Sequence, residues 1–330
     1  MLTPKENFLL AAVEHRIPEW IPNEMTDIIL VGGAFETYEN GPFGGGLDGF
    51  GVQWHATQSA SGQPVPGGKP VLADITQWED IVKFPDLDAF DWEGSAGMQF
   101  AAPGANRNLK LVEYGAWNAQ FLRLTHLMGF ENALCAMIEE PEACDALFAA
   151  ITDYKIGIVE RAAKYFKPDI FTNFDDVATE RGLFMSPATY RSLIKPHHKR
   201  LNDAIKAHGM IPFMHTCGKC ESIIADFIDE GALAWSSAQP MNDIVAIQEK
   251  YGDTISVIGG YDTNGRAGLE SATNEEIEAE VKRCITTYGP RGSYVFMGFR
   301  LMNSPDPMSF FEGIAPINAA WEKYKNFYNK

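Results

Sequence analysis

Positive charge is scarce in this chain of 330 residues: Lys and Arg number 27 against 44 Asp and Glu, leaving a formal net charge of −17. No run of Lys and Arg exceeds two residues. Nothing therefore offsets the repulsion that a phosphate backbone or an anionic membrane face would meet, and neither nucleic acid nor membrane is expected as a partner. Long apolar runs are missing as well. Nowhere do 18 uncharged apolar residues follow one another, as a spanning helix would require. The N-terminus lacks a charged segment followed by an apolar one. Cysteine is limited to five residues, and an odd count fits reduced thiols in the cytoplasm better than a disulfide framework. No repeat period stands out. The dinucleotide turn Gly-x-Gly-x-x-Gly is absent too, since Gly41-Pro-Phe-Gly-Gly-Gly46 neither follows a strand nor opens a helix.

What the chain does contain is alternation. Thr3-Pro-Lys-Glu6 has capping-box spacing with proline at the first helical position, which predicts a helix ending before Pro18. Residues 32–108 are punctuated by Gly32-Gly33, Gly44-Gly45-Gly46, Gly67-Gly68 and several prolines. They read as a long irregular insertion, with one short helix near 76–83. Beyond residue 108 the rhythm becomes regular. Short apolar stretches at 109–113, 169–174, 210–214, 233–237, 255–259 and 293–297 read as strands. Helical patterns fall at 121–137, 142–165, 187–207, 219–230, 242–251, 274–288 and 306–328. Strand–helix alternation with apolar strands predicts a parallel sheet buried on both faces. Counting 20–21 as the first strand gives seven. The expected fold is an α/β (β/α)8 TIM barrel over residues 1–330, with the Gly-rich 32–108 insertion lying over its mouth; an open doubly wound sheet is the alternative.

In such a barrel the residues just after each strand form the catalytic face. The strand at 109–113 delivers Glu113 and Tyr114, and the next delivers Asn173, Asp175 and Asp176. His215-Thr-Cys-Gly-Lys-Cys220 follows the third, Gln239 the fourth, Tyr261 and Asp262 the fifth, and Arg300 and Asn303 the last. Six elements thus place polar groups at one rim. His215 and Cys217 stand two apart, so in an extended segment their side chains share a side. Imidazole and thiolate together suit a borderline metal such as zinc, and Cys220 adds a third candidate ligand. The bland alternative is that these cysteines are small buried hydrophobes. Asp175-Asp176 offers a metal ligand or a general acid, or merely caps a loop. His197-His198 reads as a surface pair on a helix, and His15, His126 and His208 as structural. Aromatics near the mouth, among them Phe35, Trp54, Tyr114, Trp117, Phe174, Trp235, Tyr261 and Phe299, divide between core and a lining for a flat apolar substrate.

Several stretches together carry a family resemblance. They are Thr3-Pro-Lys-Glu-Asn-Phe-Leu9, Asp48-Gly-Phe-Gly-Val-Gln-Trp54, Trp78-Glu-Asp-Ile-Val-Lys-Phe-Pro-Asp86, Asp175-Asp176 through Gly182-Leu-Phe-Met-Ser-Pro187, Ile194-Lys-Pro196, His215-Thr-Cys-Gly218 and Gly259-Gly-Tyr-Asp262. With them the chain resembles the uroporphyrinogen decarboxylase superfamily over nearly its whole length, and more narrowly its corrinoid-dependent methyltransferase branch, which includes components of O-demethylase systems. The resemblance implies a (β/α)8 barrel and a zinc site at its mouth, with His215 and Cys217 as the His-x-Cys pair. The third zinc ligand of the thiol-methylating branch is a Cys near the last strand; here Met297-Gly-Phe-Arg300 places Phe299 there. Cys220, Asp176 or Glu113 completes the set, or no zinc is held. The Arg-rich segment with which the decarboxylases grip propionates has no counterpart, because residues 18–54 contain no arginine.

The function expected is O-demethylation of an aryl methyl ether, with the methyl group passed to a corrinoid protein. Asp176, Asp175 and Tyr261 are the catalytic candidates. Glu113, Tyr114, Asn173, Trp54, Gln239 and Arg300 are the substrate-binding candidates, and His215, Cys217 and Cys220 would hold metal. The alternatives are methyl transfer from a corrinoid to a thiol or folate, a decarboxylase-like lyase, and a ligand-binding barrel without activity.

Overall fold

In the computed structural model, residues 1–329 are described, without the side chains of Glu36, Thr37 and Asn329. Seven parallel strands form one curled sheet: β1 (Ile28–Val31), β5 (Leu111–Ala116), β6 (Ile170–Phe174), β7 (Ile211–His215), β8 (Ala234–Ala238), β9 (Ser256–Gly260) and β10 (Tyr294–Met297). They lie side by side in chain order. Asn23 makes a parallel bridge to Phe296 of β10, and the Phe296 N–H donates to the Pro22 carbonyl at 2.8 Å. The chain then runs through the short Glu24–Asp27 helix directly into β1. Residues 22–23 therefore link the two ends of the sheet, in a TIM-barrel-like fold. Residues 20–21, expected as the first strand, form none; the first strand is Ile28–Val31, whose four apolar residues carry no period of their own.

Strand alternation sorts the side chains into two layers. Leu111, Ile170, Phe213, Ala234, Ile258, Val295 and Met297 make one cluster inside the sheet. Phe8, Ala11 and Ala12 of the Pro4–Ala12 helix join them and plug its N-terminal end. That helix has the expected capping box between Thr3 and Glu6. Val112, Tyr114, Phe171, Met214, Trp235, Val257 and Phe296, the intervening residues, pack outward under the helices. The expected 121–137 helix is two, Gln120–Met128 and Phe130–Glu139, broken at Gly129, whose φ of +79° ends the first. No helix among the described residues is long and apolar enough to cross a membrane.

Residues 32–108 are more ordered than expected. They hold a helix (Gly33–Asn40), a three-stranded antiparallel sheet of β2 (Gly46–Leu47), β3 (Gln53–His55) and β4 (Val65–Gly67), and a further helix (Trp92–Phe100). Strands of two or three residues are too short for alternation to reveal. Buried charge ties this segment to the two helices Gln120–Met128 and Pro141–Arg161. Arg123 Nη1 donates to Asp48 Oδ2 at 3.0 Å, and Lys155 Nζ donates to Glu39 Oε1 at 2.7 Å. Ser61 and Gly62 N–H groups donate to the Met302 and Ser304 carbonyls, so the segment reaches the loop that follows β10.

Candidate active site

The inward positions of β6, β7 and β8 end in Phe174, His215 and Ser236. Beyond His215 the chain turns sharply at Gly218, with φ +88°, and a Cβ there would lie 2.6 Å from the Thr179 carbonyl oxygen. Only glycine fits this close approach. The turn is fixed from several sides. Thr216 Oγ1 donates to the Asp175 carbonyl at 2.8 Å, Cys217 N–H to Asp176 Oδ1 at 2.7 Å, and Gly218 N–H to Gln239 Oε1 at 2.7 Å.

Three side chains converge as a result. One donor atom each from Asp176, His215 and Cys217 lies within 4.8 Å of the others. His215 Nε2 is 3.4 Å from Cys217 Sγ, and its Nδ1 is 2.9 Å from Ser236 Oγ. Ser236 thus holds the ring with Nε2 facing the thiol, the role outer partners play toward a ligating imidazole. Phe174 stacks on the ring at 4.2 Å and 26°. Burial lowers the His215 pKa, against the pull of the Asp176 charge, and burial together with Asp176 pushes the Cys217 thiol well up. A carboxylate, an imidazole and a thiol, all half-buried, form a donor set of the kind that can hold a metal ion.

The other predicted residues are distributed more widely. Gln239 belongs to the site, bridging Gly218 to Thr263 Oγ1 at 3.1 Å. Cys220 lies outside the donor cluster, fully buried in the core with its N–H on Asn242 Oδ1 at 2.9 Å. Asp175 points away from its neighbour. Its carboxylate accepts the Phe121 and Leu122 N–H groups at 3.1 and 2.9 Å and meets His198 Nε2 at 2.9 Å. Glu113 is the third residue of β5, not its end, and faces the barrel interior, where it accepts the Thr172 hydroxyl. Burial raises its carboxyl to about 7, and burial plus Glu113 raises Glu24 well up.

Tyr114, one residue on, faces outward and stacks on Phe171 at 5.2 Å and 13°. Asn173 is likewise outward, 4.0 Å from the Met214 sulfur. Tyr261 packs in that outer layer and donates to the Ala267 carbonyl at 2.8 Å. Trp54 donates its indole N–H to Asp48 at 3.0 Å, inside the small sheet's core. Arg300 is spent on the Gly313, Leu269 and Glu270 carbonyls.

Sequence reasoning missed Ser236, named Phe174 only among the aromatics near the mouth, and set His198 on the surface. His198 is not on the surface but fully buried, and His197 nearly so. The signal was present: Ile194, His198, Leu201 and Ile205 recur at helical spacing with apolar neighbours, which marks an inward face. Ser236 carried no signal of its own.

A parallel barrel whose strand ends gather imidazole, thiol and carboxylate at the C-terminal rim has the layout of a barrel enzyme. The chain belongs to the uroporphyrinogen decarboxylase (URO-D) family, whose model matches residues 63–298. Among solved structures it is similar to a methyltransferase from Methanosarcina mazei, with 15% identity, 98% of this chain and 99% of the other covered, and a TM-score of 0.72. That likeness establishes the shared fold. Xylanase B from Clostridium stercorarium F9 is far more distant, at 13% identity over 63% of this chain and 71% of the other, with a TM-score of 0.38. Comparison with curated proteins finds no match.

Proposed function

We propose that this URO-D family chain is a methyltransferase that cleaves an aryl methyl ether and passes the methyl group to a corrinoid carried by a partner protein. The observation that carries this reading is the convergence of Asp176, His215 and Cys217 at the strand ends. Oxygen, nitrogen and sulfur donors in that number suit zinc and leave a fourth position open, as catalytic sites do. Bound there, zinc supplies a Lewis acid toward the ether oxygen, whose departure as phenolate is the difficult part of the reaction.

The chain's own residues prepare that position. Ser236 orients the His215 ring, the Cys217 N–H fixes Asp176, and Phe174 screens the imidazole face from water. In the overall reaction the methyl–oxygen bond breaks with its electron pair left on oxygen. The methyl group passes to the reduced corrinoid, and a proton completes the phenol. Residues 32–108, bonded to the loop after β10, form the lid over which the partner docks. Decarboxylation is disfavoured, because no arginine between residues 18 and 54 is available to hold propionates.

The test mixes the protein with a reduced corrinoid protein and a panel of methoxyaromatics and follows cobalt alkylation by absorbance. Wild type is expected to hold one zinc and alkylate cobalt, whereas His215→Ala and Cys217→Ser lose both properties. Carbon dioxide release from an acid by metal-free protein, without cobalt alkylation, would overturn the proposal in favour of a lyase.

A further inference from the structure

An apolar lining runs from the donor cluster to the rim of the barrel. His215 stacks on Phe174, and Phe174 in turn stacks on Trp117 at 4.4 Å and 13°. Trp117 follows β5 directly and is 43% exposed. Its backbone is nevertheless firmly mounted: the buried Lys155 ammonium donates to its carbonyl, and Ala119 N–H donates to the Phe174 carbonyl at 3.0 Å. Leu30 is the second unusual exposure. It sits in register with Glu113, on the inward side of β1, yet it is 54% exposed. An inward apolar side chain left that open marks unfilled space in the upper barrel.

Gly115 lies between these groups. A Cβ added there would stand 3.2 Å from Phe174 and 3.4 Å from both Leu30 Cδ1 and Trp117 Nε1. Side chains from three separate strand ends therefore converge on a position where the sequence has none. Glycine in a strand interior lowers β propensity and usually answers a need for close approach. The missing side chain lets Phe174, Leu30 and Trp117 close up against the strand, and Leu30 and Trp117 keep their outer faces exposed.

We propose that Leu30, Gly115, Trp117 and Phe174 form a slot for a planar aromatic ring, in which the substrate's ring lies along the stacked column with its ether oxygen toward His215, Cys217 and Asp176. The proposal rests on the methyltransferase reading for the orientation of the ether, but not for the binding of the ring. The slot discriminates by shape. A flat ring gains the edge and face contacts that aromatic side chains favour. A saturated ring of the same carbon count is thicker and has no such contacts to gain. A methyl group on Gly115 would press on Phe174, Leu30 and Trp117 and narrow the slot, most for rings substituted beside the ether.

Calorimetric titration of the zinc-loaded protein with 2-methoxyphenol, without any corrinoid protein, tests the slot. Wild type is expected to bind 2-methoxyphenol at least fivefold more tightly than cyclohexyl methyl ether. Trp117→Ala should weaken 2-methoxyphenol about tenfold, while Trp117→Phe stays within threefold of wild type. Gly115→Ala should weaken 2-methoxyphenol more than unsubstituted methoxybenzene. Zinc content and thermal midpoint are measured on each variant, so that loss of binding is read only from folded, metal-loaded protein. Equal binding by Trp117→Ala and wild type, equal affinity for the saturated ether, or no binding by wild type overturns the slot. Cobalt alkylation separates the two proposals. Trp117-dependent ring binding without alkylation would sink the methyltransferase reading and leave the slot standing. Alkylation with unchanged kcat/KM in Trp117→Ala would do the reverse.

Discussion

Replacing His198 by alanine tests how the candidate metal ligand Asp176 is held in place. The imidazole is fully buried between two carboxylates, with Nε2 2.9 Å from Asp175 Oδ2 and Nδ1 3.6 Å from Glu230 Oε2. Tyr190 completes the cluster, donating to Glu230 Oε1 at 2.6 Å and lying 3.2 Å from His198 Nδ1. Burial by itself would lower the His198 pKa. The hydrogen bonds and charges of Asp175 and Glu230 outweigh it and raise the value from 6.5 to about 9. At neutral pH the ring is therefore an imidazolium bridging two acids. A rise of that size corresponds to roughly 3 kcal/mol of stabilisation. That sits at the low end of the ~3–5 kcal/mol lost when one partner of a buried ion pair is removed. The low end is reasonable, because Asp175 keeps its two backbone donors from the Gln120–Met128 helix.

The sign of the pH dependence follows from the raised value. The contribution is fully present below pH 6.5 and is lost as pH climbs through about 9. In denaturant unfolding, the advantage of wild type over His198→Ala should narrow by about 3 kcal/mol between pH 6 and pH 10. Taking the difference between the two proteins removes titrations common to both. A gap that is constant from pH 6 to pH 10, or one that widens, refutes a charged His198. Because Asp175 and Asp176 share one turn, zinc affinity should fall as well, by roughly tenfold, as when an outer partner of a ligand is removed.

Two further outcomes follow from the same geometry. Burial raises the Glu113 carboxyl from 4.5 to about 7, so keeping it buried costs nothing below pH 4.5, progressively more up to about pH 7, and a constant amount above that. Glu113→Gln should therefore melt like wild type at pH 4.5 and gain up to about 3 kcal/mol at pH 9; a gain at low pH only would contradict the assignment. Gly218→Ala should abolish zinc binding by driving a Cβ into the Thr179 carbonyl, whereas Gly209→Ala, with φ +77° but open space around it, should cost about 1 kcal/mol and leave zinc in place. Elemental analysis and thermal melts of the two variants check both halves.

The sequence by itself determined the class of architecture and the neighbourhood of the site. Apolar stretches separated by helical periods of the right length can satisfy their backbone and bury both faces only as a parallel, helix-covered sheet. His215 and Cys217 could be paired from spacing alone, because a two-residue step in extended chain returns to the same side. Asp176 and Gln239, which also follow strands, bond to the Cys217 and Gly218 amides in the structure.

The assignment of individual side chains to a compartment was not legible there. Strand ends were misplaced by up to three residues, and a one-residue step reverses the face, so Glu113 turned inward while Tyr114 and Asn173 turned outward. Asp175 and Asp176 are chemically identical neighbours. What separates them is supplied from far along the chain: the amides of Phe121 and Leu122 and the His198 imidazolium draw one carboxylate outward, and the Cys217 amide fixes the other beside His215. The same holds for the slot, where Leu30, Gly115, Trp117 and Phe174 become neighbours only when β1, β5 and β6 are laid side by side. Local spacing carries information about a residue's own strand or helix. Which hollow its side chain enters depends on how the strands are curled and registered, a property of the sheet as a whole.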